Sequence, residues 1–206
     1  MDEKRLKLQT NEGHIPTTSR CGKDGTIPHN KDTSRILMHC VIIGNGPSRR
    51  SHDLRSITLP TFGCNTVYRY YQPTFLVAQD PQILQQMSQD QVHTVFVPRA
   101  RRRPHAGDLN IANIQIMESL PDQHFKLMLS GEWCMVLAAR LGFTHLHMIG
   151  FDGGPEHADR GKTASNQTLE WCESTLNRYE IFEKDLVKHF PWLQITHDEH
   201  FMKVYK

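Results

Sequence analysis

Ile36-Leu37-Met38-His39-Cys40-Val41-Ile42-Ile43 runs directly into Gly44-Asn45-Gly46-Pro47-Ser48. A nearly continuous apolar run that stops at a glycine-rich turn predicts a central parallel strand buried on both faces, followed by a strand-to-helix turn. Glycines in such a turn let the chain take conformations closed to other residues and let a ligand approach the backbone closely. Amides beyond the turn then receive phosphate oxygens. The turn lacks the third glycine of Gly-x-Gly-x-x-Gly and the Gly-Lys-Ser/Thr ending of a phosphate-binding loop, so alone it is also compatible with a tight turn that holds nothing.

The same theme recurs downstream. Thr74 to Ala78 ends in Gln79-Asp80-Pro81, His93 to Val97 ends in Pro98-Arg99, and Leu146 to Ile149 ends in Gly150-Phe151-Asp152-Gly153-Gly154. Short apolar strands alternating with longer helical stretches predict an α/β fold, a mostly parallel sheet flanked by helices. Trp133 to Leu141 is apolar almost all round and predicts a buried helix, with Ser130 as its cap and Gly142 as its stop. From Thr168 to His189, Leu169, Cys172, Leu176, Tyr179, Phe182 and Leu186 fall at three- and four-residue steps and mark one stripe of a long surface helix.

A chain of 206 residues, 38% hydrophobic and 22% charged, has the length of one ordinary domain. Residues 1–35 are polar and aperiodic and read as a flexible arm, which leaves residues 36–206 as the domain. A net charge of +2 provides no global attraction to nucleic acid, so phosphate must be met by local groups. The cysteines at 21, 40, 64, 134 and 172 are odd in number and lack Cys-x-x-Cys spacing, as expected of free thiols in a reducing cytoplasm. No apolar run reaches the roughly 18 residues of a membrane span, so a soluble, cytoplasmic protein is expected.

Several polar groups fall where strands end. Asn65 follows the apolar segment Leu59 to Phe62 and the pair Gly63-Cys64, Ser130-Gly131 opens the buried helix, and Gly150-Phe151-Asp152 closes a strand. Ligands of open α/β sheets bind outside the carboxyl ends of the strands, so these pieces and the Gly44–Ser48 turn are expected to face one crevice. Asp80 also stands at a strand end, where a carboxylate serves as a base or accepts a ribose hydroxyl; before proline it equally serves as a helix cap. Arg99, Arg101, Arg102, Arg103 and His105 form the densest positive run, open to phosphate, an acidic acceptor or solvent. His145 and His147 share one strand face, and His197 and His200 lie near the C-terminus; without a third ligand both pairs read as structural.

Taken in order, Val41 to Ser48, Cys64-Asn65-Thr66-Val67-Tyr68, Ser130-Gly131-Glu132-Trp133-Cys134-Met135, Leu137 to Phe143 and Ile149-Gly150-Phe151-Asp152 resemble the bacterial lipooligosaccharide sialyltransferases and the short related reading frames of tailed phages. The resemblance covers about residues 36 to 155. It implies a single Rossmann-like domain that binds a CMP-activated sugar, needs no cofactor or metal, and transfers the sugar to a hydroxyl. Carried over by motif, Gly44, Asn45, Gly46, Pro47 and Ser48 would hold ribose and phosphate, and Asn65 would bond the nucleotide. Ser130 and Gly131 would touch the donor sugar or base, and Gly150 with Asp152 would stand at the pocket rim.

Such enzymes take a histidine after the Gly-x-Asp turn as general base and tyrosines there to hold the leaving phosphate. Residues 153–168 provide His157, Asp159, Arg160 and Lys162 but no tyrosine. Histidine, with a pKa near 6.5, can deprotonate an acceptor hydroxyl, and Arg160 can neutralise the departing phosphate. The partners implied are a nucleotide sugar and an acceptor glycan or modified DNA base, in the cytoplasm of a cell or phage-infected host, with a homo-oligomer left open. Two other readings stay open: a metal-dependent pterin diphosphokinase, whose Gly-x-Gly-Pro-Ser opening is related, and a viral accessory protein that binds a nucleotide without turnover.

Overall fold

In the computed structural model the described residues are 37–98, 109–118, 128–152, 156–157, 161–162 and 169–197, with the backbone alone described at 156–157, 161–162 and 169–175. The predicted arm, Ile36, the Arg99–Arg103 run with His105, Arg160 and His200 lie outside them.

The chain forms β1 (His39–Ile43), β2 (Thr61–Cys64), β3 (Phe75–Val77), α1 (Pro81–Gln89), β4 (Thr94–Pro98), β5 (Asn113–Met117), α2 (Ser130–Arg140), β6 (His145–Ile149), β7 (Glu156–His157), β8 (Gly161–Lys162), α3 (Leu169–His189) and β9 (Gln194–His197). Short 3-10 turns occupy Pro47–Ser51, Leu54–Ser56 and Asn65–Arg69. Seven strands build one parallel sheet in the order β5-β4-β3-β2-β1-β6-β9. The fold is therefore α/β with helices flanking a parallel sheet, as the strand pattern predicts. Successive strands grow outward from β1 in one direction, and β6 and β9 are added on its other side. The order reverses between β1 and β6, the place where such sheets take ligands.

The core explains the order of the layers. Cys40 and Ile42 of β1, Leu146 and Met148 of β6, and Phe62 of β2 face the apolar α2 together with Phe182 and Leu186 of α3. On the opposite face Leu76, Ala78, Val95 and Val97 pack against Ile83, Leu84 and Met87 of α1. Alternating side chains of one strand thus feed two cores, which is why β1, β3 and β4 read as continuous apolar runs.

Helix ends follow local chemistry with one correction. Gly142 at φ +92° ends α2 in a Schellman arrangement: its N–H donates to the Ala139 carbonyl, and that of Phe143 to the Ala138 carbonyl, both at 3.1 Å. Ser130 is the first residue of α2 rather than its cap. Leu129 holds the cap position, and its N–H donates to the Glu132 carboxylate at 2.6 Å, so Glu132 performs from inside the helix the task predicted for Ser130.

Other boundaries also shift. Leu37 is exposed and β1 begins only at His39. Gly63 and Cys64 belong to β2, so the turn there starts at Asn65. Part of the segment read as a loop after Asp152 forms an antiparallel ladder between β7 and β8. None of the described helices is long and apolar enough to cross a membrane.

Candidate functional site

At the carboxyl edge of the sheet the β1 and β6 turns are locked together. Beyond the strands the ladder continues: the Gly44 N–H donates to the Ile149 carbonyl and that of Gly46 to the Gly150 carbonyl, both at 2.8 Å. A Cβ on Gly44 would lie 2.1 Å from the Gly150 oxygen, and one on Gly46 2.2 Å from Asp152 Oδ2. Gly46 has an ordinary φ of −69°, and among described glycines only Gly142 and Gly150 have positive φ. The expectation that Gly44 and Gly46 free the chain to adopt special conformations is therefore corrected. They are glycines because another stretch of backbone and a carboxylate fill the space beside them.

Pro47 starts the 3-10 turn, where its missing N–H costs nothing. The Ser48 N–H donates to Asp152 Oδ2 at 2.8 Å, and the Gly150 N–H donates to Ser48 Oγ at 3.2 Å. Asp152, 2% exposed, is thus buried beneath the turn it braces and does not stand at a rim.

The β1 turn also reaches sideways to the end of β2. Asn45 Nδ2 donates to the Cys64 carbonyl, and Asn45 Oδ1 accepts from Thr66 Oγ1 and from the Arg49 guanidinium, each at 3.4 Å. Asn45 therefore bonds both neighbours of Asn65, and the two asparagines share one edge of the molecule. Asn65 sits at φ 51°, a left-handed conformation that asparagine tolerates better than most residues. Its Oδ1 is sealed from solvent and accepts no hydrogen bond from the described residues. A buried acceptor left without a donor costs about 1–3 kcal/mol, so this oxygen calls for a donor that the described residues do not provide.

Arg49 is the residue that the sequence motif does not reveal, because it lies one position beyond Gly44–Ser48 and an arginine in a turn is ordinarily solvated. It is 5% exposed; its guanidinium donates to the Gly44 carbonyl at 3.4 Å and lies 5.8 Å from the centre of the Tyr70 ring. Burial lowers its pKa. The available signal was a pair of arginines, Arg49 and Arg50, placed directly after Pro-Ser in the turn.

The third side of the edge is the start of α2. A Cβ on Gly131 would come within 2.6 Å of the Phe151 ring, so Gly131 is small in order to seat Phe151. Glu132, 1% exposed, is clasped by Arg178 of α3 through Nε at 2.9 Å and Nη2 at 3.0 Å. This ion pair raises the Arg178 pKa and fixes where Ser130 and Gly131 lie. Phe151 meets Tyr179 edge-on at 5.4 Å, and burial pushes the Tyr179 hydroxyl well above its usual pKa. Gln79, at the end of β3, donates to the Met128 carbonyl at 2.8 Å and ties the approach to α2 to the sheet.

The structure thus gathers Gly44 to Ser48, Asn65, Gly131, Gly150 and Asp152 at one sheet edge, with Ser130 buried at the adjoining helix start. Asp80 stands exposed at the end of β3, where its carboxylate caps α1 by accepting the Gln82 N–H at 2.9 Å. The backbone of His157 lies in β7; its side chain and Arg160 fall outside the described residues. Among those residues no three His, Cys, Asp or Glu side chains are grouped to hold a metal ion. Cys40, Cys64 and Cys134 are free and buried, and His197 pairs with Glu183 at 2.8 Å.

No protein-family model and no curated protein sequence matches this chain. Among solved structures it is similar to the sialyltransferase CST-II in complex with a trisaccharide acceptor and CMP, at a TM-score of 0.51 and 14% identity, over 77% of this chain and 80% of that one. At that identity the likeness is one of fold alone: the two chains share an α/β architecture.

Proposed function

We propose that the chain is a sialyltransferase-like glycosyltransferase that binds a CMP-activated sugar at the carboxyl edge of its sheet and passes the sugar to an acceptor hydroxyl. The observation that carries this reading is the unpartnered Asn65 Oδ1, sealed beside Asn45 and the β1 turn. A ribose hydroxyl or the cytosine amine is a donor of the kind it lacks. The fold neighbour, solved with CMP and a trisaccharide, supports a nucleotide and a glycan as the two ligands.

In this reading Asn45, Gly46 and Ser48 lie along the ribose and phosphate, with Arg49 adding positive charge next to them. Ser130 and Gly131 face the donor sugar. His157 takes the proton of the acceptor hydroxyl as its oxygen bonds the anomeric carbon. The bond from that carbon to the phosphate oxygen breaks, and CMP departs with the electron pair, its charge met by Arg160. Asp80 is the alternative base, though its carboxylate is already engaged as a cap. The reaction needs no cofactor, takes place in the cytoplasm and has a glycan or modified DNA base as acceptor.

A thermal-shift comparison of CMP, UDP, GDP, ADP and their sugars tests the donor. A ligand at a hundred times its dissociation constant stabilises by about 2.7 kcal/mol, so a rise in Tm with CMP alone is expected, together with its loss in Asn65→Ala. CMP release from a CMP-sugar should then fall at least about a hundredfold in His157→Ala. Stabilisation by another base and not by CMP would overturn the donor assignment, and magnesium-dependent ATP consumption would point to a diphosphokinase.

One observation favours nucleotide binding without turnover: Asp80 and Asp152 are both occupied with holding the chain together. CMP binding with no product from any donor would decide for that reading.

A further inference from the structure

A cavity of about 520 Å³ opens at the amino end of the sheet, away from the β1 turn. Its origin lies in the strand pairing. β4 and β5 pair along their whole length, from Thr94↔Asn113 to Pro98↔Met117, whereas β3 and β4 meet only at Val77↔Phe96. Upstream of that contact no further pair joins the two strands, and Pro73, Leu76 and Phe96 line the space there. The volume falls within the roughly 300–1,000 Å³ range of small-molecule sites.

The rim is polar and carries two features that stability alone does not favour. Asp90 follows the last turn of α1, where a carboxylate faces the negative end of the helix. The Tyr68 hydroxyl donates to its Oδ2 at 2.6 Å and holds it there. Gln91, next in the chain, sits at φ 55°, a conformation usually left to glycine or asparagine. Both residues line the cavity.

Its chemistry selects among ligands. Asp90 accepts hydrogen bonds, the Gln72 and Gln91 amides both donate and accept, and Thr74 and Thr94 add hydroxyls. Tyr68 and Phe96 add aromatic residues to the lining, of the kind that pack on the C–H face of a pyranose. Among the described residues no lysine or arginine lines the space, and the Asp90 carboxylate on its rim repels a phosphate or carboxylate ligand. Hydroxyl-rich and uncharged describes a neutral saccharide.

We propose that this cavity is a carbohydrate-binding site, separate from the carboxyl edge, that holds a neutral sugar residue of a glycan. It does not depend on the donor or the reaction assigned to the other edge.

The test is an NMR titration of the isotope-labelled full chain with lactose, maltose and cellobiose in turn. The expected result is saturable, millimolar shifts in the amides of residues 72–76 and 90–96 with at least one of these sugars. Asp90→Ala and the near-isosteric Thr94→Val should each weaken that binding, the first by at least about tenfold, with Tm measured on both to confirm folding. Absence of saturable shifts with all three sugars, or binding unchanged in both folded variants, would overturn the proposal. Shifts confined to residues 44–48 and 150–152 would also overturn it, by placing the sugar at the other edge. CMP added to the same sample reports separately on the donor reading: its failure to bind would sink that reading and leave the saccharide result standing.

Discussion

The two ends of the sheet are built on opposite principles. At the carboxyl end the turns after β1 and β6 are pressed so closely that Gly44 and Gly46 have no room for a Cβ. At the amino end a cavity opens beside β3 and β4, and three histidines stack on β1 and β6: His39 lies 4.4 Å from His145 and 5.3 Å from His147, ring centre to ring centre. The first end is stiff because backbone meets backbone, which suits a site that must hold polar atoms in fixed positions. The second keeps polar side chains half-exposed and tolerates local strain, as at Gln91. The motif glycines accordingly mark where the chain touches itself.

This contrast can be broken most directly at Gly44. Alanine there would drive its Cβ into the Gly150 carbonyl, and a loss of about 3 kcal/mol or more is expected in urea unfolding. A loss under about 1 kcal/mol would mean that the two turns are not locked. Asp80→Ala should cost about 1 kcal/mol through the lost cap of α1; if CMP release also collapses, the carboxylate has a chemical role in addition to the cap. At the open end, Gln91→Gly should cost nothing and gain up to about 1 kcal/mol by relieving the left-handed backbone. Clear destabilisation would show that the Gln91 side chain supports the fold.

The smallest expected effect is a pH dependence. Burial first, then the facing imidazoles of His39 and His145, hold the His147 pKa below its usual 6.5. The other groups described around the cluster are the hydroxyls of Thr144 and Thr196, bonded to His145 Nδ1 at 3.0 Å and His147 Nδ1 at 2.9 Å. As pH falls through 6.5 the unfolded chain gains a proton that the folded chain still refuses, so stability should decline in that window. His147→Gln should flatten this part of the curve; an unchanged slope would place the titration elsewhere.

Local pattern determined much of the fold. Val41-Ile42-Ile43 before Gly44, the all-round apolar Trp133 to Ala139 and the stop at Gly142 each act within a few residues, and all three are where the sequence puts them. The edge strands β5 and β9 escaped because they are partly polar: one alternates through Asn113, Ile114 and Gln115, and the other exposes every second residue to solvent. His145 and His147 were legible as a pair on one face, but His39 joins them only when β1 and β6 align side by side, bringing His39 Nδ1 within 3.0 Å of His147 Nε2.

By itself, then, the amino-acid order determined the central strands β1, β3, β4 and β6, the helices α2 and α3 and which polar residues stand at strand ends, because burial periodicity and turn chemistry act over one or two turns of chain. Tertiary structure alone decided the order of the strands, the burial of Arg49, the cavity beside β3 and β4 and the reason for each motif glycine. Those depend on contacts such as Ser48 N–H to Asp152, which joins positions 104 residues apart and leaves no periodic trace in the sequence.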